Sequence, residues 1–393
     1  MASLITSTIA ISIDTVLPAF DELEADFGLG GSGLQVSLTI TVFFIALGIG
    51  TLFWGPFTDR YGRRPVMFIS LAGVFVGAVL SSFAPTFEVF LAGRVLWGLA
   101  AAGPRTVVLA ITRDSYEGDD MSAIMSLTLA VFLVVPILAP ALGEVLLQFG
   151  SWRLTTLAAA ALSVIAGLWF TRIEETLDPN DVLPLDFARV GKAARVVLTT
   201  RSTMLFTVAS AFTYGSFFPW LASSPTIIGD IYDRPEQFAL IFGANAILMA
   251  FAILVVERLV RRYSTFPVIL AQVCFLLVSA IVYVVVSLSS GGVPSFWLWF
   301  VLLSLLTAVN SSSSPLLQSM AMQPMSAIAG TAASVIGGVV FIAGAVLGWL
   351  VDRALVDTVT PLGVGYLAYG IGIAAMVLLV KSTQAHRLAE VAQ

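Results

Sequence analysis

The sequence predicts an all-α integral membrane protein of twelve transmembrane helices, arranged as two pseudo-symmetric six-helix halves. Three observations carry this reading. Hydrophobic residues make up 58% of the 393 and charged residues only 11%, with a mean hydropathy of +0.98, a balance foreign to soluble globular domains. Twelve apolar runs, each close to the roughly 20 residues that cross a bilayer as a helix, follow one another with short connections. Finally, Asp59-Arg60-Tyr61-Gly62-Arg63-Arg64 is echoed 198 positions later by Glu257-Arg258-Leu259-Val260-Arg261-Arg262.

The expected spans are 3–22, 33–55, 66–84, 88–111, 121–148, 153–171, 203–226, 236–257, 266–287, 296–314, 327–350 and 362–380, with ends placed to within a few residues. The first lacks a basic leader and carries Asp14 within its apolar stretch, so it reads as a retained helix and not a signal peptide. Asp21, Glu22, Glu24 and Asp26 then form an acidic outer loop, which either concentrates cations or ends the helix in solvent. The second helix is expected to end at Gly55-Pro56, where the chain turns sharply through two glycine-permissive positions, Gly55 and Gly62. The fourth carries Arg94 and Arg105, and the fifth carries Pro136, Pro140, Gly143 and Glu144.

Residues 172–202 are the longest polar stretch, and they read as a cytoplasmic linker between a half at 1–171 and a half at 203–393. A second echo supports the duplication, pairing Ala139-Pro140-Ala141-Leu142-Gly143 with Gly344-Ala345-Val346-Leu347-Gly348 at an offset of 205. The second-half copy of the charged turn lacks both glycines, so a blunter turn is expected there. Residues 311–314 are four serines before Pro315 and read as a broken helix near the cytoplasm, in preference to a polar path.

With the N-terminus placed inside, cytoplasmic segments hold 14 of the 19 Lys and Arg residues. The positive-inside rule then puts both termini in the cytoplasm. The net charge of −5 says little about partners, and Cys274, the single cysteine, can form no intrachain disulfide. There is no phosphate-binding Walker loop, the one histidine is His386 in the tail, and no Cys/His cluster could hold a metal. An enzyme, a cofactor and a nucleic-acid partner are therefore not expected, and any work must draw on a gradient.

A charge near the bilayer centre costs at least ~2.5–3.5 kcal/mol, so each one needs a reason. Asp14, in the outer half of the first helix, reads as a proton carrier whose charge responds to burial, water and cations. Arg94 would bias that equilibrium by proximity. The competing reading for both is a fixed ion pair or bonds to backbone carbonyls. Arg105 lies closer to the cytoplasm and can snorkel, and Glu144 is a secondary proton site near the outer interface.

The stretch Gly55, Asp59, Gly62, Arg63, Arg64 resembles motif A of the major facilitator superfamily, G-x-x-x-D-x-x-G-R-R, with no departure in spacing. The resemblance extends to the Bcr/CflA branch of drug:proton antiporters. Asp14-Thr15-Val16-Leu17-Pro18-Ala19 is similar to its first-helix signature, although Val16 stands at the tyrosine position. Arg94, Gly98, Gly103-Pro104 and Arg113-Asp114 resemble motif B, with Trp97 in place of the usual glutamine. Pro136 to Gly143 resembles antiporter motif C, with Ala139 and Glu144 replacing glycines, and Phe217-Phe218-Pro219-Trp220 supplies the branch-level match.

The resemblance implies a proton-driven exporter of amphipathic drugs in a bacterial inner membrane, working as a monomer by alternating access. It further implies Asp14, Arg94 and Glu144 in coupling, and motif A with Arg60 as a cytoplasmic gate that clasps the eleventh helix. A cavity between halves would be lined by Phe44, Trp97, Tyr214, Phe217, Asn245, Met249, Asn310 and Phe341, since aromatic and Met groups take varied apolar molecules while amides orient them. Two other readings stay open: a facilitator or proton symporter for a native solute, and a non-transporting receptor or scaffold.

Overall fold

The computed structural model describes residues 5, 8, 11–30, 35–116, 118–182, 184, 185 and 187–391, and every regular element among them is helical. Residues 11–14 are helical, Thr15 and Val16 form a turn, and a 3-10 turn at Leu17–Ala19 leads into α1 (Phe20–Phe27). There follow α2 (Leu38–Tyr61), α3 (Arg63–Ser82), α4 (Phe87–Ser115), α5 (Gly118–Phe149), α6 (Arg153–Phe170) and α7 (Phe187–Thr199). The remainder is α8 (Arg201–Thr226), a π-helical turn Ile227–Ile231, α9 (Phe238–Tyr263), α10 (Thr265–Ser289), α11 (Phe296–Met322), α12 (Ala329–Asp352) and α13 (Thr360–Val391). Among the described residues nine helices are long and apolar enough to cross a membrane, and α7 with α8, bent by 90° at Thr200, makes a tenth span.

By packing the chain divides into two compact units: residues 1–190 with 222–247, and residues 191–221 with 248–393. In the first, α4 lies against both α2 and α3, and α3 also packs on α6. In the second, α10 packs on α11 and α13.

Several expected boundaries shift outward. The second helix does not end at Gly55-Pro56; α2 contains Pro56 and continues to Tyr61. A membrane helix tolerates the one bond a proline removes, because in an apolar medium its other backbone groups have no alternative partner. The serines at 311–314 do not break α11 either, which runs through Pro315 to Met322. Three of them turn inward on their own helix, Ser311 to the Ala308 carbonyl at 3.0 Å and Ser312 and Ser313 to that of Val309 at 3.0 and 2.8 Å. The polar linker also holds a helix: α7 is amphipathic, with Ala193 and Val197 buried while Lys192 and Arg195 are exposed.

The acidic segment expected as an outer loop is instead the helix α1. Asp21 and Glu22 sit in its first turn, where the helix dipole favours anions, and Gly28 ends it in the left-handed region at φ 65°. Its carboxylates grip the start of α6. Glu22 accepts from the Trp152 backbone N–H at 2.8 Å, and Asp26 accepts from the Trp152 indole N–H and from Arg153, each at 2.9 Å. The indole bond first, and then Arg153, hold the Asp26 carboxyl below its ordinary range.

Internal duplication is visible in packing. Gly143 of α5 lies so close to the first helical segment that a Cβ there would meet the Thr15 carbonyl at 2.5 Å and Pro18 at 2.7 Å. Its echo, Gly348 of α12, packs against α8 less tightly, with a Cβ meeting Phe218 at 2.9 Å and Pro219 at 3.3 Å. Each glycine thus admits the proline-bearing helix of its own half.

The turn between α2 and α3 rests on one residue, Gly62, at φ 95° and ψ 164°. Gly55 is helical. In the second half the turn is not blunter, which corrects the expectation: Ser264 joins α9 to α10 at φ 68° and ψ 164°, nearly the same conformation, four residues beyond the aligned position. That region is essentially restricted to glycine and costs a side-chain-bearing residue about 1–3 kcal/mol. Ser264→Gly should therefore raise the melting temperature of the purified protein, by an amount corresponding to roughly 1 kcal/mol. Gly62→Ala should lower it, since the new Cβ would also meet the Glu175 carboxylate at 2.5 Å.

Candidate functional site: a buried arginine and the motif A charge cluster

Asp14 closes the short helical stretch 11–14 and is 5% exposed. Its carboxylate forms no hydrogen bond or ion pair with any of the described residues. Arg94, three residues before Trp97 on α4, is fully buried. One guanidinium nitrogen, Nη1, donates to the Ser12 carbonyl at 2.8 Å. The plane is held by aromatic rings, with Cζ 4.6 Å from the Phe43 centroid and 4.7 Å from that of Trp97, geometry in which the ring quadrupole attracts the cation.

Glycines make this packing possible. A Cβ at Gly98 would meet the Phe43 carbonyl at 2.5 Å, and one at Gly77 would meet the Trp97 backbone nitrogen at 2.6 Å. Helices α2 and α3 thereby approach α4 closely enough to close over the cation. The anticipated fixed Asp14–Arg94 ion pair is absent among the described residues, while the anticipated arginine bond to a backbone carbonyl is present. Ser12 and Phe43 were not foreseen; a serine two residues before an intramembrane aspartate was the available signal.

Glu144 accepts from the Ala239 backbone N–H at 2.8 Å, at the second residue of α9, where helix N–H groups lack internal partners. It also borders a cleft of about 390 Å³ with Pro18, Asp21, Pro225, Glu236 and Phe238. Pro136 is half-buried and Pro140 buried within α5.

At the other end of the first unit, motif A forms a bonded cluster. Arg63 is 7% exposed and contacts Asp114 of α4 through Nε at 2.8 Å and Nη2 at 3.3 Å. Its Nη1 donates to the Thr58 carbonyl at 2.9 Å and to Asp59 at 3.2 Å. Glu175, just beyond α6, caps α3 by accepting from the backbone N–H groups of Arg63 at 2.8 Å and Arg64 at 3.0 Å. Thr176 donates to Asp114 at 3.0 Å. Arg60 is exposed, and Arg64 is half-buried with Nη2 on the Thr171 carbonyl at 3.3 Å. In the second-half echo Arg261 bonds Glu257 at 2.6 Å, and both are exposed.

Glu175 is the member that sequence reasoning missed, because the α3 backbone groups it caps lie more than a hundred residues away in the chain.

The cavity candidates fall in both units. In the first, Phe44 is buried, edge-on to Phe43 at 5.9 Å, Trp97 is fully buried, and Asn245 is 1% exposed. In the second, Tyr214 stacks edge-on to Phe341 at 5.3 Å, Phe217 lies 6.4 Å from Phe218, and Met249 is half-buried. Asn310 donates from Nδ2 to the Thr213 carbonyl at 2.8 Å, tying α11 to α8.

The motif A cluster has a pH signature. Burial pushes the Glu175 carboxyl up, but four backbone N–H bonds, from Arg64, Arg63, Leu177 and Thr176, outweigh it and hold the group below the usual carboxylate range. A lowered folded-state pKa contributes stability that is present above the unfolded value, ~4.3, and lost as pH falls through the folded value. Thermal unfolding of Glu175→Gln should show a loss of about 1 kcal/mol at pH 7, the worth of a cap. That difference from wild type should shrink as the pH is lowered below 4.3.

The Major Facilitator Superfamily family model matches residues 2–348. The chain is 28% identical over 355 residues to the bicyclomycin resistance protein homolog of Haemophilus influenzae, covering 89% of this chain and 87% of that one. It is 28% identical over 186 residues to the multidrug resistance protein MdtL of Salmonella dublin, 47% of each chain. A crystal structure of a D-xylose-proton symporter superposes with a TM-score of 0.76 at 13% identity, covering 96% of this chain and 95% of that one, a likeness of fold alone. Helices of membrane-crossing length, a complete motif A turn and a family match over most of the chain lead to one conclusion: this protein is a multi-pass membrane transporter of the Major Facilitator Superfamily and not an enzyme.

Proposed function

We propose that the chain is a proton-coupled antiporter that exports drugs or related amphipathic small molecules. The observation that carries this reading is Asp14, a carboxylate 5% exposed and unpaired among the described residues, on the segment that Arg94 grips at Ser12. An intramembrane acid with no fixed partner is suited to bind and release a proton as its surroundings change. Support also comes from the similarity to proteins named for bicyclomycin and multidrug resistance, and from Gly143 of motif C, packed against Thr15 beside Asp14.

In this reading the halves at 1–171 and 203–393, joined by 172–202, rock to expose a midplane cavity to each side in turn. Half-buried Tyr214, Phe217, Met249 and Phe341 supply apolar surface to the drug; Phe44, Trp97, Asn245 and Asn310 are the deeper contacts. Asp59, Arg60 and Arg64 engage α12 as the cytoplasmic gate when the cavity faces out, on the frame that Gly55, Gly62 and Arg63 provide. Glu144 is a secondary proton site. Both termini face the cytoplasm of a bacterial inner membrane, and a single chain surrounded by lipid is sufficient.

The test is drug-dependent proton release from proteoliposomes, with ethidium and chloramphenicol as substrates. Wild type should couple the two fluxes, and Asp14→Asn should reduce drug-driven proton release at least tenfold. Unchanged coupling in that variant would remove Asp14 from the mechanism and move the role to Glu144. Drug uptake in the same direction as the protons would replace antiport with symport.

A further inference from the structure

Arg94 has more hydrogen-bonding capacity than the structure uses. With zero exposure it donates from Nη1 alone among the described residues, which offer Nε and Nη2 no acceptor. A carboxylate is the usual partner for such a group inside a membrane, and Asp14 stands two residues beyond Ser12, which Arg94 grips. Even so, the described residues contain no pair between them. The guanidinium instead lies on two aromatic faces.

Trp97 is itself immobilised. Its Nε1 donates to the Ser12 hydroxyl at 3.0 Å, and that hydroxyl's one proton is committed to the Thr8 carbonyl. The indole stands edge-on to Phe43, with centroids 6.3 Å apart and planes at 83°. Behind it, α3 leaves no room, because even a Cβ at Gly77 would lie 2.8 Å from the Trp97 Cβ. One serine therefore holds both the cation, by its carbonyl, and the ring that covers the cation, by its hydroxyl. Desolvation strengthens cation–π contacts, so two ring faces compete with pairing to a nearby acid.

We propose that Trp97 is a positioning residue for proton coupling: with Phe43 it holds the Arg94 guanidinium on the Ser12 carbonyl and out of an ion pair with Asp14. The inference rests on the antiport reading above, in which Asp14 must gain and lose a proton. A guanidinium beside a carboxylate favours the charged form by about one to three decades in proton affinity, which would leave the acid permanently ionised. The charged groups nearest this segment are Arg94 of α4, Glu144 of α5 and, on α1, Asp21, Glu22, Glu24 and Asp26, with Arg153 bonded to Asp26; Asp21 lines a cleft with Glu144 and Pro18. Glu144 is engaged at Ala239 and Arg153 at Asp26. Arg94 is the one that bonds the segment carrying Asp14.

The experiment measures the pH dependence of ethidium-driven proton release from proteoliposomes of the intact protein, for wild type, Trp97→Gln, Trp97→Phe, Phe43→Leu and Asp14→Asn. In parallel, infrared difference spectra follow the carboxyl band that Asp14→Asn removes. Trp97→Gln and Phe43→Leu each take away a ring that holds Arg94, so the midpoint of both readouts should move to lower pH, a loss of proton affinity of tenfold or more. Trp97→Phe keeps an aromatic face and should keep the wild-type midpoint, whatever its rate.

A wild-type infrared midpoint in Trp97→Gln or in Phe43→Leu, whichever folds, overturns the proposal, because a merely structural role changes melting temperature and flux but not that titration. If Asp14→Asn transports like wild type, Asp14 leaves the mechanism and the coupling role moves to Glu144, while the infrared titration still decides whether the rings hold Arg94 off Asp14.

Discussion

A full positive charge sealed away from water, with no carboxylate paired to it among the described residues, sets the terms for the first packing unit. Arg94 cannot be neutral at any ordinary pH, and stripping its hydration is costly. The protein meets that cost with one carbonyl, at Ser12, and two ring faces, Phe43 and Trp97. Each of those groups must come within about 5 Å of the cation, so the three helices that carry them must nearly touch. Gly98 lies at the α2–α4 crossing, and Gly77 lets α3 close against the back of Trp97. Van der Waals contact over small residues is what drives helix association in lipid, so the same glycines serve both the bundle and the charge.

The motif A turn meets a related problem with different chemistry. Arg63 is buried but close to water, and carboxylates are affordable there. It takes Asp114 with two nitrogens, Asp59 and the Thr58 carbonyl with the third, a fork geometry that an ammonium could not match. Glu175 contributes by satisfying the two backbone donors that the sharp turn at Gly62 exposes at the start of α3. The turn, the cap and the ion pair depend on one another. A side chain at position 62 would occupy the site of the Glu175 carboxylate.

Much of the architecture was legible because membrane helices are written in composition. Apolar runs of fixed length located α2 to α6 and α8 to α13, and the repeated charged turn announced a duplicated chain. Errors collected where local signals compete with a long helix's need to satisfy its backbone. Pro56 and the serines at 311–314 look like breaks, but within a membrane a helix has nowhere else to place those groups. The acidic run at 21–26 looked like a solvated loop because its partners, Trp152 and Arg153, lie about 130 residues away. At Ser264 the absence of glycine suggested a gentler turn, whereas the connection between α9 and α10 imposed a left-handed residue regardless of type.

The sequence by itself determined that this chain crosses a membrane many times, that its halves are related, and that Asp14, Arg94 and the motif A turn stand out from an apolar background. Those properties follow from residue type and spacing, since a charge in hydrocarbon is conspicuous in one dimension. Tertiary structure alone decided how the charges are satisfied: Arg94 on rings and a carbonyl instead of on Asp14, Glu175 on the backbone of α3, Glu144 on the start of α9. Hydrogen bonds and cation–π contacts act over a few ångströms between residues far apart in the chain. Which of them form depends on where the glycines let helices meet.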